Sequence, residues 1–209
     1  MTAITGYLAI LRKQLPAGSG EAEMITRAQE QAGRVTRVVE DLRAFADQER
    51  SLQGPPFPLA RPVRAALALY ADRFRAAGIR LTARIDEDLP ETQGDPVQLQ
   101  QVVAHLLENA INAMPGGGAL EVSLGAVDGE ALRLRVADTG KGIPLTLRER
   151  IFDPFFTTKD DRERVGLGLS VSHSIVEAHH GRIFVESEEG AGSAFTVLLP
   201  AATAAAHLA

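Results

Sequence analysis

A chain of 209 residues has room for one good core and a smaller appendage, and its 45% hydrophobic and 23% charged content is that of an ordinary soluble globular protein. Its net charge of −5, without a long basic run, argues against general nucleic-acid binding, which rests on neutralising phosphates. Without cysteine there is no disulfide, thiolate metal site or cysteine nucleophile, and no apolar run approaches the roughly 20 residues that span a bilayer. With no signal-peptide pattern at the start, a cytoplasmic chain is expected.

The first predicted element is a helix whose Ile4, Leu8, Leu11 and Leu15 step along one seam up to Pro16. Residues 16–20, PAGSG, form a turn. A second helix follows, with Ile25, Ala28, Ala32, Val35, Val39, Leu42 and Ala46 in heptad spacing. Two such helices predict an antiparallel hairpin with a half-covered seam, and pairing of two copies into a four-helix bundle is the natural way to cover it. A homodimer is therefore expected. The second helix overhangs the first by about 15 residues, about 22 Å at the rise of a helix. Val35, Val39, Leu42 and Phe45 then lack a partner from the first helix, so either part of that helix lies outside this chain or another surface covers them.

Residues 50–58, RSLQGPPFP, read as a stiffened linker. Leu59 to Ala77 is a predicted helix with Val63, Leu67, Tyr70 and Phe74 on one side and Gly78 ending it. Ile79 to Ile85 alternates as a strand, and a loop from Asp86 to Gly94 leads to the stretch around which the chain is organised, DPVQLQQVVAHLLENAINAM from Asp95 to Met114. Asp95 as N-cap, Pro96 at N1 and Gln98 at N3 predict a helix start with a capping box. Leu99, Val102, Val103, Leu106, Leu107, Ala110, Ile111 and Met114 form an apolar face. The opposite face carries Gln101, His105, Asn109 and Asn112, with only Glu108 charged near its middle. A face of amides and an imidazole suits a ligand, and the alternative for this helix alone is a plain solvent face.

Pro115 to Gly118 stops that helix, and Leu120 to Val127 and Ala131 to Ala137 alternate as two strands joined at Asp128-Gly129. A loop-rich region precedes a helix from Leu169 to His179, and Arg182 to Ser187 with Ser193 to Leu199 make a second antiparallel pair. The fold class is α+β: a helical hairpin, then a two-layer α/β sandwich with a mixed sheet. Residues 201–209 are an alanine-rich tail expected to fray. His173, His179, His180 and His207 form no metal pattern with acidic or cysteine partners. His179 and His180 precede Gly181 at a helix C-terminus, where the dipole favours a charged imidazole.

Four blocks within residues 95–170 now stand in order: the helix with Asn109, DTGKGI from Asp138 to Ile143, FDPFFTTK from Phe152 to Lys159, and GLGLS from Gly166 to Ser170. Together they resemble the N, G1, F and G2 boxes of the ATP-binding domain of bacterial two-component sensor histidine kinases, of the Bergerat-fold ATPase superfamily. The opening MTAITGY is similar to the end of the family's phosphoacceptor motif, His-Glu-x-x-x-Pro-Leu-Thr-Ala-Ile-x-Gly-Tyr, which places the acceptor histidine just upstream of Met1. The resemblance implies a truncated dimerisation hairpin at 1–49, a linker at 50–58, an ATP-binding catalytic domain at 59–200 and a tail at 201–209.

The resemblance also implies residue roles. Asn109 is similar to the family's Mg²⁺ ligand, and a neutral amide suits a cation that takes most of its anionic coordination from phosphates. His105 stands where hydrolytic relatives carry a water-activating glutamate, so ATP is spared for transfer, and a phosphate-contacting or indirect role is expected. Asn112, Asp138, Gly140, Gly142 and Ile143 are implied to bind ATP, with Asp138 accepting from the adenine N6 amine and Gly140 and Gly142 letting the backbone pass close to the ring. Thr157, Thr158 and Lys159 begin a lid, in which Lys159, with Arg162 or Arg164, faces the phosphates, and Phe156, Thr158 and Lys159 are implied ATP-binding residues. Phe152, Phe155 and Phe156 are core plugs or the base of that lid, with two of them expected in the core. Gly166, Leu167, Gly168 and Leu169 offer amides to phosphate at a helix start. The family commonly has Gly-Thr-Gly-Leu-Gly-Leu here, whereas this chain has Arg164 and Val165 in the first two places. Gly190, Gly192, Ser193 and Phe195 resemble a last glycine block, which a hairpin turn explains equally well.

The expected function is the Mg-ATP-binding catalytic core of a sensor histidine kinase, a protein-histidine kinase whose product passes the phosphoryl group to a response-regulator aspartate. With no acceptor histidine in this chain, only action in trans on a full-length partner is expected. The alternatives are a non-catalytic, dimerising nucleotide-binding adaptor that binds a kinase bundle or a response regulator, and a serine kinase of the anti-sigma type, against which the hairpin argues.

Overall fold

The computed structural model describes residues 2–16, 19–29, 31–33, 54–156 and 166–202, with side chains of the first helix described from residue 6. The chain divides into two compact units, Met1–Ala46 and Asp47–Ala209.

In the first unit α1 is Thr2–Gln14, and α2 covers residues 20–29 and 31–33. Ser19 caps α2, its Oγ accepting from the Ala22 amide at 3.2 Å. Tyr7, Ile10, Leu11 and Met24 are exposed, while Leu8, Leu15 and Ile25 are half-buried. Val35, Val39, Leu42, Phe45 and Ala46 lie outside the described residues.

The second unit runs α3 (Ala60–Ala76), β1 (Ile79–Ile85), α4 (Pro96–Ala113), β2 (Gly118–Val127), β3 (Ala131–Asp138), a short 3₁₀ turn at Leu145–Leu147, α5 (Gly168–Ala178), β4 (Arg182–Glu188) and β5 (Gly192–Pro200). Five strands form one mixed sheet in the order β1-β2-β3-β5-β4. Only β1 and β2 are parallel, because α4 carries the chain back between them, and the other three pairings are antiparallel. Alternation decides which face is covered: Leu120, Val122 and Leu124 of β2 and Leu132, Leu134 and Val136 of β3 are buried.

α4 packs between α3 and α5 and lies over β3 and β5. Its predicted apolar face is the buried one: Leu99, Val102, Val103, Leu106, Leu107, Ala110 and Met114 are all at most 2% exposed, and only Ile111 is half-buried. At about 1.5–3 kcal/mol for each large apolar side chain buried, this face is the main anchor of the domain. The other side of α4 is held to α3 by Glu108, which accepts from the Tyr70 hydroxyl at 3.3 Å and the Arg73 guanidinium at 3.2 Å. Arg73 lies over the Tyr70 ring, 4.8 Å from its centre. The single charge on the polar face of α4 is thus a helix–helix contact. Its half-exposed partner makes it worth under about 1 kcal/mol, so its use is register.

The start of α4 departs from a capping box. Asp95 Oδ1 accepts from Val97 N at 2.7 Å and Gln98 N at 3.4 Å, as expected of an N-cap. The Asp95 amide, which the box would give to the N3 side chain, instead donates to His179 Nε2 at 3.0 Å. At the end of the linker, Phe57 is buried and exchanges backbone hydrogen bonds with Thr92, so this part of 50–58 is packed rather than spacing.

Candidate functional site

Residues 105, 109 and 113 of α4 lie four apart and therefore share one stripe of the helix. The stripe is in contact with two separate glycine segments. At one end, a Cβ built on Gly140 would lie 2.6 Å from the Ala113 carbonyl oxygen, so the loop after β3 rests directly on the end of α4 and admits no side chain there. At the other end, the His105 ring lies against Gly168, the first residue of α5, with Cγ 3.5 Å from a Cβ built there. Asn109 sits between these contacts. Its Nδ2 is buried and has no hydrogen-bond partner among the described residues. A buried amide left in this state costs about 1–3 kcal/mol, which a ligand recovers on binding. Asn112, three residues on, is half-buried beside it.

Asp138 ends β3 and is 8% exposed. Its Oδ1 accepts from the Gly140 amide at 2.8 Å. Burial pushes this carboxyl above its ordinary range, opposed by the amides of Gly140 and Ser193. The loop beyond it is pinned at three points: the Lys141 amide to the Ala113 carbonyl at 3.1 Å, the Ile143 amide to Ser187 Oγ at 2.8 Å, and the Gly190 amide to the Lys141 carbonyl at 2.7 Å. Gly142 has a φ of +67°, and a Cβ there would strike the Glu188 carbonyl. The β4–β5 turn thus supports the loop from behind, and Ser193 of the last glycine block faces Asp138 in the β3–β5 register.

The phenylalanine block differs from expectation. Two of its rings were expected in the core, yet Phe152 and Phe156 are half-buried and Phe155 is 66% exposed. The buried residue is Ile151, and the rings stay at the surface, Phe152 against the His173 ring at 5.5 Å and Phe156 under Arg150 at 4.9 Å. The physical reason is position: this segment lies in turns outside the sheet, and one anchor holds it. Gly166 returns against Phe155 and Phe156, a Cβ there lying 2.6 Å from the Phe156 carbonyl oxygen. Thr157, Thr158, Lys159, Arg162, Arg164 and Val165 lie outside the described residues.

α5 starts without a side-chain cap; Leu167 before it is buried, and Gly168 and Leu169 are half-buried. His179 at its end is also a correction. It is fully buried, its Nδ1–H donates to the Ile175 carbonyl at 2.7 Å, and its Nε2 accepts from Asp95. Burial holds its pKa below the ordinary value, so it is a neutral core histidine rather than a dipole-favoured cation. Among the described residues, no three His, Cys, Asp or Glu are grouped to hold a metal, and no helix is long and apolar enough to cross a membrane.

Residues 94–203 match the family model described as Histidine kinase-, DNA gyrase B-, and HSP90-like ATPase, beginning one residue before the Asp95 cap and covering the whole site. The chain belongs to this ATPase family. Within the family it is the ATPase core of a bacterial sensor histidine kinase, the catalytic part of such proteins. Sensor histidine kinase ZraS of Escherichia coli (strain K12) is 36% identical over 201 residues, which are 96% of this chain and 42% of ZraS. The full-length structure of ShkA in complex with AMPPNP superposes with a TM-score of 0.76 at 26% identity, covering 95% of this chain and 43% of ShkA. Histidine kinase ThkA in complex with response regulator protein TrrA gives a TM-score of 0.70 at 26% identity, over 96% of this chain and 57% of ThkA. The chain thus spans less than half of the ZraS and ShkA chains.

Proposed function

We propose that this chain binds Mg-ATP on the Asn109 stripe and donates the γ-phosphoryl group to a histidine, from which it passes to the aspartate of a response regulator. The carrying observation is the Asn109 Nδ2, buried and unpartnered among the described residues, between the Gly140 and Gly168 contacts. In this reading Asp138, Gly140, Gly142, Ile143 and Asn112 hold the base, and the amides of Gly166, Leu167, Gly168 and Leu169 face the phosphates. Phe156, Thr158 and Lys159 belong to the lid. In this reading His105 stands where a carboxylate base would otherwise activate water, which spares ATP.

A divalent cation fits the residues present: one amide oxygen, with phosphate and water oxygens completing the shell, is the donor set of nucleotide-borne Mg²⁺ and needs no acidic cage. When bound, Mg²⁺ neutralises charge on the transferred group. The chain's own part is to align donor and acceptor and to exclude water. The bound AMPPNP of ShkA and the response regulator seated on ThkA are what similar proteins hold, and they support the nucleotide and partner parts of the reading. The exposed Tyr7, Ile10, Leu11 and Met24 support a homodimer through the hairpin, with residues 1–49 as its bundle half, 50–58 as linker, 59–200 as catalytic domain and 201–209 as tail.

The test is incubation with γ-labelled ATP and Mg²⁺, together with a longer version of the kinase that restores the upstream histidine and carries Asn109→Ala. Label on the longer chain, only when this chain is added, is the expected result. Absence of label despite nucleotide binding would replace the kinase by a nucleotide-binding adaptor.

Asp138→Asn tests base recognition separately. With one oxygen committed to Gly140, the new amide NH₂ meets the adenine amine, and AMPPNP affinity is expected to fall about 10- to 100-fold in calorimetric titration. In the parent chain, affinity should fall on acidification, starting above the ordinary carboxylate range because the Asp138 pKa is raised. An unchanged titration in both experiments would remove Asp138 from the base site.

A further inference from the structure

His105 Nδ1 lies 3.1 Å from Ser172 Oγ, and Ser172 Oγ lies 2.7 Å from the Gly168 carbonyl oxygen. A serine hydroxyl has a single proton, and a carbonyl oxygen only accepts. The shorter contact therefore takes the hydroxyl proton, and Nδ1–H must donate the longer one. In the neutral ring this makes Nε2 the acceptor. Ser172 is 0% exposed, so water does not compete for either bond. Both bonds converge on the residue that opens α5, since the carbonyl belongs to Gly168 and the His105 ring rests on Gly168 as well.

We propose that Ser172 is a positioning residue of the nucleotide site: its hydroxyl fixes His105 in the Nδ1–H tautomer and ties the first turn of α5 to α4. The inference rests on the nucleotide reading above and adds how the site is kept in shape. Asn109 stands one turn beyond His105, and the amides at 166–169 stand at the head of α5. A single relay from His105 through Ser172 to Gly168 holds these two groups at one spacing. Ser170 provides the contrast. It makes the same kind of bond back along the helix, from its Oγ to the Leu167 carbonyl at 2.9 Å, and among the described residues it makes no hydrogen bond to a histidine.

The experiment uses the full chain with ¹⁵N-labelled histidine, reading tautomers by long-range ¹H–¹⁵N correlation and AMPPNP affinity by calorimetry with Mg²⁺. In the parent chain His105 should show the Nδ1–H pattern alone. In Ser172→Ala the two tautomers of His105 should mix and the Kd for AMPPNP should rise about tenfold, the worth of one well-made hydrogen bond. Ser170→Ala should leave the His105 pattern intact. His179, held by Ile175 and Asp95, should keep its own pattern in both variants and so report an intact fold. An unchanged His105 pattern in Ser172→Ala overturns the proposal, as does a mixed pattern with unchanged affinity. If the parent chain itself fails to bind AMPPNP, the nucleotide reading falls and the positioning role with it. The tautomer change would then stand only as a fact of helix packing.

Discussion

Asn109→Ala is expected to reduce transfer to an added histidine substrate by at least about 100-fold, the usual cost of removing a group that stabilises charge at a reacting centre. The same substitution should leave the melting temperature unchanged or slightly raised. That pairing is the diagnostic part. Most substitutions on a helix that anchors a domain cost stability, but Asn109 Nδ2 is buried without a partner among the described residues, so its removal takes away a desolvated donor that these residues do not use. A side chain that costs stability and is kept for a ligand shows the reverse of a packing residue when it is deleted. Loss of transfer with an equal loss of stability would mean that Asn109 holds the helix and not the nucleotide. Retained transfer would move the cation site elsewhere.

How much of this site could be read from the sequence depended on the distance over which each interaction acts. The two faces of α4 follow from three- and four-residue spacing alone, and each predicted apolar position except Ile111 is buried. The Asp95 side-chain cap was legible for the same reason, since the Val97 and Gln98 amides that it accepts from lie within three residues, whereas the His179 acceptor of its own amide, 84 residues away, was not. Glu108 was not: its partners, Tyr70 and Arg73, come from a different helix, 38 and 35 residues away, and no local pattern names them. The parallel pairing of β1 with β2 is likewise invisible to alternation, which reports a strand and its buried side but not its neighbour.

His179 is more instructive, because a local signal existed. Ser172, Ile175, Val176 and His179 fall at i, i+3, i+4 and i+7, and all four are buried. The position near the helix end pointed to a dipole-favoured cation, while the periodicity pointed inward. Burial prevailed because two hydrogen bonds, to the Ile175 carbonyl and from the Asp95 amide, fully satisfy a neutral ring. The phenylalanines erred the other way. Three large rings in five residues suggest a core, but a core position needs a regular element to aim it, and this segment lies in turns between β3 and α5. The four motif blocks were readable as chemistry because they are short and contiguous. That the second and fourth of them meet one stripe of α4 is seen only in the contacts of Gly140 and Gly168, where the glycines themselves carry no side-chain signature.

The largest expected loss of stability follows from His179. Its ring fills the space beside Gly94, where even a Cβ would overlap it, and so joins the end of α5 to the start of α4. His179→Ala should cost about 3 kcal/mol, combining a cavity with an unpaired Asp95 amide. For a chain of this size the melting temperature should then drop by about 6–12 °C. His179→Phe divides the cost, since it refills the space and leaves only the amide unpaired, and it should lose less. The pH dependence gives a second, independent readout. The folded pKa of His179 is lowered by burial, opposed by the Ile175 carbonyl and the nearby Asp95 charge, with His180 adding to the lowering. The native ring therefore binds its proton less readily than the unfolded chain. Its contribution to stability is fully present above the unfolded value of about 6.5 and is lost as pH falls below it towards the folded value. Denaturant melts of the parent chain should show this decline, and the difference between parent and His179→Phe should narrow as pH falls through that window. A difference that stays constant from neutral to mildly acid pH would mean that folding leaves the His179 pKa unshifted, whereas one that widens as pH falls would mean that the ring is charged in the native fold. The helix-dipole reading, in which a cation at the end of α5 is the stabilising form, would then be the correct one.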